Sequence, residues 1–189
     1  MVCIQRTTME NVTTYFIVGY AGGTAGDLIT ALLNPTDVEL DGTRVIVPDH
    51  RVKLKKPRRF ADDEAKNKYI QEFKNTVSLS SHDLEYHIRK HHPFIGITVR
   101  YKLAYWAAER FKDLHSDNIW RQMGNGTVED YAEDLLDISK SLIAKNASHV
   151  LRLEDIVDGL AIEKLRQFST IPKKSEEFYD SWLQANGFK

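Results

Sequence analysis

Apolar positions along the chain change their period several times, and each change marks a predicted element. Val12–Tyr20 is a run of β-branched and aromatic residues with little polar interruption, the pattern of a strand buried on both faces of a parallel sheet. Glycines follow at 22, 23 and 26. Leu28, Ile29, Leu32 and Leu33 then recur at helical spacing until Asn34-Pro35 closes a short helix. Strand, glycine turn and helix make the first half of an α/β unit.

Downstream, Asp41-Gly42 between the β-prone arms of Val38–Val47 predicts a hairpin. The basic, proline-punctuated stretch "PDHRVKLKKPRRF" reads as an exposed arm leading into a helix near Asp62–Asn75. Thr76–Ser81 and His92–Arg100 predict two further strands. Leu103, Ala107, Phe111 and Leu114 then form a helical stripe, and Thr127 with Asp130 is a capping-box variant opening a second long helix carried by Tyr131, Leu135, Ile138 and Leu142. His149–Leu153 predicts a last strand before two short amphipathic helices. No internal repeat or low-complexity segment interrupts the pattern.

This alternation predicts a three-layer α/β/α fold with a mainly parallel sheet, as one domain over residues 1–189. Ligands of such sheets bind outside the C-terminal ends of the strands. That rule puts Tyr20–Gly26, His82 and Arg100 on one rim.

Composition narrows the partners. The 189 residues carry 26 basic and 27 acidic side chains, a formal charge of −1, so no global field draws the protein onto nucleic acid or an anionic membrane. Arg51, Lys53, Lys55, Lys56, Arg58 and Arg59 form the one dense basic patch. Only Phe60 supplies an aromatic beside it, which argues against a nucleic-acid surface. The single cysteine, Cys3, excludes an internal disulfide framework. With no apolar run of membrane-spanning length and no basic-then-apolar leader pattern, the expectation is a cytoplasmic protein.

The glycine loop is the leading candidate for chemistry. Glycines between a strand and a helix let main-chain amides approach an anion at the positive end of the helix dipole. Gly22, Gly23 and Gly26 fit that role, with Thr24 as a hydroxyl donor and Ala25 beside it. The alternative is a tight turn against a neighbouring element. A Walker A loop requires G-x-x-x-x-G-K-[ST], and this loop has no lysine. "AGGTAG" approaches the dinucleotide-binding fingerprint with Glu39 or Asp41 downstream, but the helix is short and Asp41 serves the hairpin.

Among the histidines, His87 and His91 have the i, i+4 spacing of a zinc pair, without cysteine partners or an HExxH pattern. No metal is therefore expected, and His87, His91 and His92 read as exposed or as helix-end residues. His82 stands apart, just past a predicted strand end. Glu154 and Asp155 read as helix caps, and Tyr105, Trp106, Phe111, Trp120 and Trp182 as packing residues.

Four segments in order resemble the P-loop sulfotransferases. "FIVGYAGGTAG" is similar to their 5′-phosphosulfate loop, of the form G-Y-P-K-S-G-T-T, and "SLSSHDL" to their second strand ending in the catalytic histidine. "FIGITVRYKLAYWAAERF" resembles their 3′-phosphate strand and helix, and "VLRLEDIVDG" their "YEDL" strand end. The resemblance spans residues 12–160. It implies a P-loop nucleotide-binding fold that takes PAPS (3′-phosphoadenylyl sulfate) or its product PAP, and sulfuryl transfer without a metal to a hydroxyl or amine of a small-molecule or glycan acceptor. It also implies that Gly22–Gly26 cradle the sulfuryl-bearing phosphate, that Arg100 contacts the 3′-phosphate and that His82 is the general base. Two positions depart from the family: its loop lysine falls at Gly22, and its 3′-phosphate serine at Ala108. A cation of the basic arm is one candidate substitute, the alternative being that the arm is only a solvated basic loop. A non-catalytic nucleotide- or anion-binding module on the same fold, a nucleotide kinase-like phosphotransferase and a dinucleotide-binding domain remain alternatives.

Overall fold

Two short antiparallel pairings accompany the parallel core of the sheet. Ile4–Arg6 (β1) runs against the first half of Thr13–Gly19 (β2), and Leu40–Asp41 (β3) runs against Arg44–Val45 (β4). The computed structural model describes residues 4–6, 13–34, 40–41, 44–45, 78–115 and 117–189. Cys3, the basic arm and the helix expected near Asp62–Asn75 lie outside the described residues. The hairpin forms where the pattern predicts it, with a correction to its turn. Asp41 pairs with Arg44, so residues 42 and 43 connect the arms and Asp41 belongs to the ladder.

The strands Ser78–Ser81 (β5), Ile95–Thr98 (β6) and His149–Arg152 (β7) join β2 in a parallel sheet ordered β5-β2-β6-β7. Gly19 of β2 lies opposite Ser81 on one side and Gly96 on the other, and Thr98 lies opposite Arg152. Parallel pairing in this register brings the C-terminal ends of β2, β5, β6 and β7 to one rim. From β2 the chain goes next to β5, whereas from β6 it goes to β7 on the opposite side. The order therefore reverses between β2 and β6, which is where α/β sheets open a crevice for ligands.

Successive side chains of a strand face opposite ways, and both faces are covered. Val18, Ile95, Ile97 and Leu151 join a buried cluster with the helices Gly26–Leu33, Ala161–Arg166 and Lys174–Ala185. On the other face, Ile17 and Leu79 pack with Leu84, Phe94 and Ile143, from the helix Leu84–Arg89, the β6 approach and a π-helical turn at Ser139–Ile143. This gives the three-layer α/β/α arrangement.

The long helix expected after Thr127 is Val128–Ile138, then the π turn, then Ala144–Asn146. The Ser139 hydroxyl in that turn accepts from the Val99 amide at 3.0 Å, and Ile143 packs where a Cβ on Gly96 would lie 2.3 Å from it. Glycine in β6 thus lets the turn seat directly on the sheet. At the far end of the Gly26–Leu33 helix, the Asn34 amide accepts from the Ser78 N–H at 2.8 Å and donates to the Ser78 carbonyl at 3.1 Å. That clamp spans 44 residues of chain and fixes β5 beside the first helix.

His87 is corrected from an exposed residue to a fully buried one. Its Nε2 lies 2.8 Å from Ser81 Oγ and its Nδ1 lies 3.4 Å from His92 Nδ1. Inward-facing ring nitrogens satisfied this way secure the β5 end rather than meet solvent. His91 is exposed, with φ 52. No group of three or more metal-ligating side chains occurs among the described residues, and no helix among them is long and apolar enough to cross a membrane.

Candidate functional site

The loop leaving β2 turns through Gly23 at φ 84 and Ala25 at φ 62 before the Gly26–Leu33 helix begins. Only glycine enters the left-handed region without steric cost, so Ala25 carries local strain of order 1 kcal/mol. Close packing holds the loop. A Cβ on Gly22 would lie 2.4 Å from the Phe111 ring, one on Gly23 2.0 Å from the Ala107 carbonyl oxygen, and one on Gly26 2.0 Å from the Tyr20 ring. The glycines thus have a steric reason of their own: helix Tyr101–Asp113 and the Tyr20 ring press directly on the loop backbone. Tyr131, stacked on Phe111 with centroids 5.3 Å apart, donates its hydroxyl to the Gly22 carbonyl at 3.3 Å. Burial pushes the Tyr131 phenol well above its usual range, an effect only partly offset by that hydrogen bond.

Within this fixed loop the amides of Gly22, Gly23, Ala25, Gly26 and Leu28 meet no acceptor among the described residues, whereas Thr24 N–H bonds the Ala21 carbonyl and Ile29 N–H the Ala25 carbonyl. Thr24 departs from its expected part as a ligand donor. Its side chain is buried and its hydroxyl donates to the Ala21 carbonyl at 2.7 Å, closing the turn from within.

Beside the loop lies a cleft of about 350 Å3 whose lining includes Gly23, Ala25, Gly26, Asp27 and His82 together with Arg110, His115 and Trp182. His82, at the end of β5, is exposed, with its ring centroid 4.3 Å from that of Tyr20. Tyr20 folds over Gly26 and gives its hydroxyl to Asp27 Oδ1. The predicted strand ends thus bring His82 and the glycine loop to one cavity.

Arg100 stands elsewhere on the rim. It is the N-cap of helix Tyr101–Asp113, is exposed, and does not line the cleft. Its amide donates to Glu154 Oε1 at 2.8 Å, so Glu154 caps the helix after β6 rather than its own. Asp155 pairs with Arg152 at 3.0 Å. Ala108, at the family's serine position, is fully buried and offers no surface to a ligand.

The residue that sequence reasoning missed is Arg110. Its Cζ sits 5.7 Å from the Trp106 ring centroid and 5.6 Å from that of Trp182, and its Nε donates to Asn186 Oδ1 at 3.2 Å. Burial pushes the guanidinium below its usual range, while the Asp27 carboxylate and then the Tyr20 phenol pull it back. The one local signal was its place four residues after Trp106, where a helix sets two side chains together. Nothing nearby pointed to Trp182 or Asn186. Asp27 and His115 were missed too. His115 Nδ1 lies 2.7 Å from the Phe111 carbonyl, so that nitrogen carries the hydrogen and a neutral ring keeps Nε2 as its acceptor. At the cleft mouth Leu114 and Ile119 are exposed apolar residues.

Main-chain donors, a guanidinium, two imidazoles and a carboxylate thus share one pocket. The set suits binding a polyoxyanion and moving a proton beside it. Compared with family models, with curated proteins and with solved structures, the chain matches none.

Proposed function

We propose that this protein binds PAPS or PAP along the C-terminal rim of its sheet and transfers the sulfuryl group to a hydroxyl or amine. The observation that carries the reading is the rigid glycine loop, whose amides meet no acceptor among the described residues and whose cleft also holds His82. Loop amides receive the phosphosulfate oxygens. The exposed Arg100 guanidinium, on the same rim beyond the cleft, meets the 3′-phosphate. His82 takes the acceptor proton while the acceptor oxygen or nitrogen bonds to sulfur, and the bond from sulfur to the bridging phosphate oxygen breaks to leave PAP.

A second reading, a non-catalytic oxyanion-binding module, is favoured by Asp27. Its carboxylate lines the same cleft and opposes the negative charge that builds on a leaving phosphate, where the family has a lysine.

A thermal-shift panel of PAP, PAPS, ATP and NAD tests the nucleotide, since selective binding to the native state raises the melting temperature by mass action. PAP and PAPS are expected to raise it and NAD to leave it unchanged. A shift with NAD alone would overturn the reading. For the chemistry, H82A is expected to keep the PAP shift and lower sulfuryl transfer about a hundredfold or more. PAP binding with no transfer to phenol, alcohol, amine or glycan acceptors selects the binding module.

A further inference from the structure

Three features of the cleft remain to be explained: a half-buried arginine, a carboxylate in the same cleft, and the absence of a lysine from the loop. Arg110 is prepared for a planar, two-pronged contact. Its guanidinium lies beside the touching Trp106 and Trp182 rings, whose centroids are 6.5 Å apart, and its Nε is fixed by Asn186 Oδ1. Asn186 is itself oriented, because its amide nitrogen donates to the Trp182 carbonyl at 2.8 Å, which leaves Oδ1 as the atom turned to Arg110. An arginine held by aromatic faces and an oriented amide has already given up much of the conformational freedom that binding would otherwise cost. Its fork matches the paired oxygens of phosphate or sulfate esters.

Asp27 lines the same cleft. Tyr20 holds its Oδ1, and its negative charge favours the protonated Arg110 guanidinium against the effect of burial. A carboxylate in the first turn of the Gly26–Leu33 helix also draws on the helix dipole that an incoming anion would use.

We infer that Arg110 supplies the oxyanion-binding cation that the glycine loop lacks, and that Asp27 competes with the ligand for it. The ligand class is a tetrahedral oxyanion ester or anhydride, held between Arg110 and the amides of Gly23, Ala25 and Gly26. The inference rests on the reading that this cleft takes an oxyanion, but not on the nucleotide being PAPS. Asp27 then acts as a built-in counter-charge in the same cleft, with which an incoming oxyanion must compete. It sets affinity from below.

Calorimetric titration of the full chain with PAP and with inorganic pyrophosphate, adenosine serving as the uncharged control, separates the claims. R110M keeps an unbranched stem against the tryptophans and is expected to weaken both anions at least about tenfold. R110K, charged but without the fork, is expected to fall between R110M and wild type. D27N keeps an acceptor for Tyr20, removes the opposing charge and is expected to tighten both anions by about threefold to tenfold, less so at high salt. The opposite sign of D27N guards against R110M failing merely because it misfolds. Unchanged affinity in both R110M and R110K, or weaker binding by D27N, overturns the inference. Pyrophosphate binding that depends on Arg110, without PAP binding, supports it while overturning the PAPS reading. If the wild type binds neither anion, both fall.

Discussion

An alanine methyl at Gly26 would sit 2.0 Å from the Tyr20 ring, and one at Gly22 2.4 Å from the Phe111 ring. Neither ring is the loose end of a flexible chain. Tyr20 is tied to Asp27, and Phe111 is buried against Tyr131. Gly22→Ala and Gly26→Ala should therefore each cost roughly 1–3 kcal/mol by overpacking, read as a lower urea midpoint with an unchanged slope. Wild-type stability in both would mean that the loop does not press on these rings. The sequence made the loop visible, since three glycines between a strand-like and a helix-like run need a backbone reason. It could not reveal that the reason is packing as much as ligand access, because Phe111 and Tyr131 meet Gly22 from about 90 to 110 residues away in the chain. Thr24 was misread for a local cause: a hydroxyl in a tight turn satisfies a carbonyl three residues back before it serves a ligand.

The helices show which elements sequence can define. Thr127 accepts from the Asp130 amide at 3.1 Å, and the Asp130 carboxylate accepts from the Thr127 amide at 2.8 Å, closing the box that the sequence announced. These bonds hold the Asp130 carboxyl below its usual range, so its part in the cap is present at neutral pH and fades as pH falls through that lowered value. Thr127→Ala should cost about 1 kcal/mol and leave the melting curve two-state. Because the same helix carries Tyr131 to Gly22, the substitution also probes how firmly the loop is backed. An undiminished melting temperature would mean that the helix start is held by tertiary packing alone. Elsewhere the period was read correctly but its end was not. The stripe through Leu103, Ala107 and Phe111 follows the helix, yet the helix stops at Asp113, and Leu114 turns to the cleft mouth as an exposed residue. The π turn after Ile138 left no mark that apolar spacing records. It depends on Gly96 of β6 and on Val99 just beyond that strand.

On the scale of the whole molecule, alternation of strands and helices gave the layers and the common rim, whereas the composition of that rim depended on contacts with the C-terminal helix. Lys174–Ala185 brings Trp182 to the arginine, with Asn186 at its C-cap, and is docked through Ser175 Oγ to the Leu32 carbonyl at 3.2 Å and through Tyr179. The sequence offered only a short amphipathic helix there. The Tyr179 hydroxyl donates to the Ile156 carbonyl and accepts from the Ala161 amide, joining three consecutive helices. Burial, ahead of the charges of Asp180 and Asp158, pushes its phenol up to about 12 despite the Ala161 bond. An unfolded tyrosine ionises near ~10. Below that pH both states keep the proton and the contribution is complete. Between about 10 and 12 only the unfolded chain ionises, so stability falls by about 1.4 kcal/mol per pH unit, roughly 3 kcal/mol in all. Tyr179→Phe should lower stability at pH 8 by about 1–3 kcal/mol, because the Ile156 carbonyl and Ala161 amide lose their partner, and should flatten the alkaline decline relative to wild type. Urea titrations at several pH values from 8 to 11.5 measure both effects, and the difference between the two proteins removes the contribution of every other titrating group. Parallel slopes would show that the phenol ionises equally easily in the folded and unfolded chains.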